Sequence, residues 1–162
     1  MKRLPPFLML VLLLCGCSSG TKIEANESTF LIGLRNNCDC ETYKVRYEYY
    51  IGDRSIGGGY ACNADGSALS FDDVLIKDFI RADFPEGDNL AEFRIEVFVV
   101  DGAGVAYPCG EPLSLNAAFG NVYEIIITGN YGNGFCAAWR ENEREERIWN
   151  WKNTVRIGVK TI

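Results

Sequence analysis

"YKVRYEYYI", residues 43–51, decides the fold class. Tyr43, Val45, Tyr47, Tyr49 and Ile51 take every second place, with Lys44, Arg46, Glu48 and Tyr50 between them. Side chains of an extended chain point alternately to its two faces. This period of two therefore gives a strand with one face in a core and the other in water, as in an antiparallel sheet. "AEFRIEVFVV" (91–100) repeats the pattern, with Phe93, Ile95, Val97 and Val99 set against Glu92, Arg94 and Glu96. "NVYEIIITG" (121–129) is β-branched and apolar, and "TVRIGVKTI" (154–162) alternates Val155, Ile157 and Val159 with Arg156, Gly158 and Lys160. "TFLIGL" (29–34) is a shorter strand, and "SIGGGYAC" (55–62) is another, weakened by its three glycines.

Turn-forming residues separate these runs at Gly52-Asp53, Asn63–Gly66, Asp101–Gly104 and Gly129–Gly134. Short strands at such spacing predict an all-β, antiparallel β-sandwich of immunoglobulin-like or related type, a single domain over residues 29–162. "SFDDVLIKDFIRADF" (70–84) reads two ways. Ser70 and Asp73 stand in capping-box places with Leu75 and Phe79 four apart, which allows one short helix; otherwise it is an irregular strand. "RENEREER" (140–147) has no apolar stripe and is expected as a loop or a turn or two of helix.

The N-terminus carries a different signal. Lys2 and Arg3 precede "FLMLVLLL" (7–14), too short for a bilayer span, which needs about 20 apolar residues, and small polar residues follow at once. Leu14-Cys15-Gly16-Cys17 resembles the bacterial lipobox, with an aliphatic residue three places before Cys17 and a small one directly before it. The resemblance is confined to the first twenty residues. It implies that residues 1–16 are a lipoprotein signal peptide that is removed and that Cys17 is the lipidated N-terminus. It also implies a membrane attachment through the acyl chains, in a bacterial cell envelope. Ser18, which is not Asp, resembles the residue at this place in proteins sorted to the outer membrane. Residues 17–28 are polar and aperiodic, and are expected as a tether.

Composition removes whole classes of function. Losing residues 1–16 removes two of sixteen basic residues and no acid, leaving fourteen against twenty-two and a net charge of −8. Nucleic-acid affinity comes largely from basic groups meeting phosphates, so no nucleic-acid partner is expected. There is no histidine, which excludes Ser-His-Asp and Cys-His catalysis and histidine-ligated zinc. No nucleophile elbow or phosphate-binding loop occurs, and the chain is expected to be a non-enzyme without cofactor or metal.

Beyond Cys17, five cysteines remain in the mature chain: Cys38, Cys40, Cys62, Cys109 and Cys136. In an exported protein these are disulfide candidates, with at most two bridges and one thiol over. Cys38 and Cys40 are two apart, a spacing that could also present two thiolates to a soft metal. Trp149, Trp151 and, ten residues before the first, Trp139 are the ligand-binding candidates, since flat aromatics stack on sugars and anchor interfaces. "DFPEGDN" (83–89) gathers Asp83, Glu86, Asp88 and Asn89 in a calcium-like loop whose spacing matches no EF-hand, so an ordinary acidic turn is expected. The function expected from all this is a lipid-anchored binding or adhesion module for a glycan or protein ligand. The alternative is an accessory subunit of an envelope assembly.

Overall fold

The computed structural model describes residues 25–141. The signal peptide, Cys17, Trp149, Trp151 and the strand expected at 154–162 lie outside the described residues. Among the described residues there are nine strands: β1 Thr29–Cys38, β2 Lys44–Ile51, β3 Arg54–Cys62, β4 Val74–Ile80, β5 Phe93–Val100, β6 Ala106–Pro108, β7 Leu113–Ser114, β8 Val122–Asn130 and β9 Gly134–Glu141. One sheet runs β4-β1-β8-β9; the other runs β3-β2-β5-β6, with β7 also on β5. This is an all-β sandwich. It departs from purely antiparallel pairing at β1 and β8, which run parallel, Leu31 opposite Val122 and Cys38 opposite Gly129.

The alternation in β2 and β5 falls as the sequence requires. Val45, Tyr47, Phe93, Ile95, Val97 and Val99 face the core from one sheet, and Phe30, Ile32, Leu34, Leu75, Phe79, Tyr123, Ile125 and Ile127 from the other. At the centre Phe30 and Phe79 stack with centroids 4.8 Å apart, and Phe93 meets each edge-on at 5.4 Å. Offset and edge-on pairs satisfy the ring quadrupole as well as burying area.

The ambiguous stretch 70–84 is a strand, β4, ending in a 3₁₀ turn at Arg81–Asp83. Asp73 does accept a bond from the Ser70 amide at 2.7 Å, but it closes a turn and starts no helix. "VLI" is apolar on both faces, because Leu75 enters the core while Val74 and Ile76 pack on the outside. Arg140 and Glu141, expected in a loop or a turn or two of helix, instead end β9. The chain is already ordered at the end of the expected tether: Asn26 bridges to Thr29, and the Glu27 and Ser28 carbonyls accept bonds from Arg81.

The three glycines of β3 are packing glycines beside a bulge. The β2–β3 register shifts between Tyr49 and Tyr50. A Cβ on Gly59 would sit 2.8 Å from the Tyr47 hydroxyl, and one on Gly58 would sit 2.7 Å from the Tyr47 carbonyl oxygen. The tyrosine rings of β2 thus lie against bare backbone in β3.

A groove at one end of the sandwich

β1, β3, β5 and β8 all begin at the same end, so the loops 81–92 and 115–121 meet there. Between them is a groove of about 770 Å³. Phe84 and Phe119 supply its aromatic surface, with centroids 6.3 Å apart and both continuous with Phe30 of the core. Pro85, Leu90, Ala91, Ala117 and Ala118 add apolar wall, and Arg81, Glu86, Asp88 and Asn89 add polar groups.

The acidic loop builds one wall, and its polar residues are mostly committed to holding it. Asp83 accepts from the Ile80 amide at 2.9 Å. Asn89 accepts from the Ala91 amide at 3.2 Å and donates to Glu92 at 3.0 Å, capping the 3₁₀ turn Leu90–Glu92. Gly87 takes a φ of +94°, a left-handed conformation open to glycine. Asp88 pairs with Arg54, tying the loop to the β2–β3 hairpin, while its Oδ2 is buried with no hydrogen-bond partner among the described residues. The walls are joined where the Ala117 amide donates to the Leu90 carbonyl at 3.2 Å. Arg81 is fixed twice: its guanidinium lies 4.4 Å over the Phe119 ring and donates to the Glu27 carbonyl at 3.1 Å. A shallower depression adjoins it, formed by Gly52, Asp53, Glu92, Arg94 and Ser114.

Among the described residues no three His, Cys, Asp or Glu side chains converge to hold a metal ion. Two further acids, Asp101 and Asp72, are committed to a turn and to an ion pair. Asp101 accepts from the Ala103 and Val105 amides at 2.9 and 2.8 Å, and Asp72 pairs with Arg35 at 2.7 Å.

All five cysteines among the described residues are free thiols. Cys38 and Cys109 are buried in the sandwich core, Cys40 packs against it, Cys62 is half-buried on β3 and Cys136 is exposed on β9. Burial pushes the Cys38 thiol up to about 11 and that of Cys109 up to about 12, where the nearby Cys38 and Cys136 add to the rise.

Trp139 stands on β9 opposite Ile125, 37% exposed, its ring edge-on to Tyr123 at 6.0 Å. It does not line the groove. Tyr123 leads from it to the groove's back wall, its hydroxyl accepting from the Ala118 amide and donating to the Asn116 carbonyl, both at 3.0 Å. The acidic wall is legible in the sequence as a loop composition, whereas Phe119, some thirty residues away, is not. A lone phenylalanine in "NAAFG" gives no periodic signal.

At the opposite end, the loops expose Phe71, Val105 and Tyr131, at 65%, 51% and 39%. Tyr131 is pinned there by its hydroxyl, which donates to the Glu41 carbonyl at 2.8 Å.

No protein-family model matches the chain, and no curated protein does. A solution structure of a protein from Eubacterium rectale is similar over 73% of this chain and 94% of that one, at 12% identity and a TM-score of 0.37. A likeness at that level carries no argument about this chain.

Proposed function

We propose that this is a lipid-anchored, non-enzymatic binding module of the bacterial cell envelope, tethered through Cys17, and that the end groove binds a saccharide. The groove itself carries the reading. Its volume of about 770 Å³ lies in the range of about 300–1,000 Å³ usual for small-ligand sites. A protein partner would need roughly 800 Å² of contact surface on each side. The half-buried Phe119 offers apolar surface to sugar C–H groups, with the largely buried Phe84 behind it, and Glu86 with the loop backbone offers acceptors to hydroxyls. The remaining N–H groups of the doubly fixed Arg81 suit a sugar carboxylate or hydroxyl at little further cost in side-chain order.

The test is calorimetric titration of the mature chain with soluble peptidoglycan fragments and N-acetylhexosamine oligomers, beside Phe119→Ala. The reading expects saturable binding weakened at least tenfold in the variant. Binding equal in both proteins, or none to any of these saccharides, contradicts it. The anchor is tested separately: Cys17→Ser should move the protein from the membrane to the soluble fraction.

A second reading, an accessory subunit of an envelope assembly, is favoured by Phe71, Val105 and Tyr131 at the opposite end. It expects a protein partner lost on replacing Phe71 and Tyr131 by Ser and kept in Phe119→Ala.

A further inference from the structure

The face of the β4-β1-β8-β9 sheet turned away from the core carries an apolar, buried patch beside the Arg35–Glu124–Arg140 ion pairs. Leu31, Val74, Ile76 and Val122 form a cluster there, separate from the sandwich core. Leu31 lies opposite Val122 and Gly33 opposite Ile76, so the patch is continuous across three strands. Leu31 and Val122 are 0% and 2% exposed, and Glu124 beside them is equally inaccessible. An outer sandwich face ordinarily alternates to polar residues in water. The other sheet obeys this, with Lys44, Arg46, Glu48 and Glu96 on its outer face. Among the described residues the apolar side chain packed on the patch is Ala25, too small to shield it.

We propose that the chain's own C-terminal stretch, residues 142–162, covers this face. β9 is the edge strand of this same sheet, and its last residue, Glu141, lies opposite Tyr123, next to Val122. One reversal from there leads back over the patch. Arg140 already reaches onto the outer face, donating to Glu124 at 2.6 Å. The stretch has ample reach: twenty-one residues span up to about 70 Å, against about 14 Å across four strands. Its composition suits the task, with Trp149, Trp151, Val155, Ile157 and Val159 in a chain otherwise rich in charge. The eight residues 17–24 offer one large apolar side chain, Ile23. The inference is independent of the saccharide reading.

The test is a nuclear Overhauser experiment on the full mature chain with labelled Leu, Val and Ile methyls, repeated on a mixed sample of labelled and unlabelled protein with isotope filtering. The expected result is contacts from the Leu31 and Val122 methyls to indole or methyl protons of residues 142–162, within one molecule. Contacts that cross between molecules would assign the cover to a second copy. Contacts to residues 17–24 would assign it to the N-terminal chain. Either result, or methyls with no neighbour beyond the sheet, overturns the proposal.

Discussion

Tyr47 shows what one side chain does in this core. Its ring is buried against the β3 backbone, and its hydroxyl has no hydrogen-bond partner among the described residues. An unmade buried bond costs about 1–3 kcal/mol. Tyr47→Phe should therefore leave stability unchanged or raise it by about 1 kcal/mol in urea denaturation; a loss above that would mean the hydroxyl is engaged. Burial also pushes the Tyr47 hydroxyl up to about 12. Together with the raised thiols of Cys38 and Cys109, this fixes a pH dependence for the reduced protein. Each group keeps its proton longer when folded than when unfolded, so its contribution is complete below about pH 9. It is lost as the pH rises toward 11–12, by at most about 1.4 kcal/mol per unit and group. Denaturation midpoints should be flat from pH 7 to 9 and fall above that. At pH 8, alkylation should mark Cys136 quickly and leave Cys38 and Cys109 unmarked until the protein unfolds.

At the scale of elements, β3 depends on its glycines and β8 on a charge. Alanine at Gly58 meets backbone and at Gly59 a buried ring, whereas at Gly57 it meets the more accessible Tyr49 hydroxyl at 2.8 Å. The first two substitutions should each cost about 1–3 kcal/mol and Gly57→Ala less; thermal melts of the three would show the order. Glu124 is buried between Arg35, at 2.8 Å, and Arg140, at 2.6 Å. Glu124→Gln leaves these cations short of an anion and should cost about 3 kcal/mol, while Arg140→Ala, at an exposed site, should cost about 1 kcal/mol or less. Elements whose two faces differ were legible in the sequence, as β2 and β5 were. In β1 the apolar run stops at Leu34, where polar residues follow, yet Asn36 is buried, donating to the carbonyls of Leu69 and Ser70 at 3.3 and 3.0 Å. β4 was ambiguous because both its faces are covered. The parallel β1–β8 pair joins residues some ninety apart, and no local pattern records it.

At the scale of the molecule, the groove lies where the chain leaves the expected tether, since Arg81 holds both Phe119 and the Glu27 carbonyl. Its acidic wall was visible as a loop composition, but its meaning was not, because the loop acquires a concave surface only when residues 115–121 fold against it. If Cys17 is lipidated, at most about 30 Å of extended chain separates the anchor from Ala25. The groove then works close to the membrane and the Phe71 end works away from it. We propose that ligand recognition belongs to the groove at the membrane-near end. The most direct measurement is amide chemical-shift mapping of the mature chain during titration with soluble peptidoglycan fragments. Saturable shifts confined to residues 81–91 and 117–120 are expected. Shifts confined to the loops bearing Phe71, Val105 and Tyr131, or none anywhere at saturating saccharide, would contradict it.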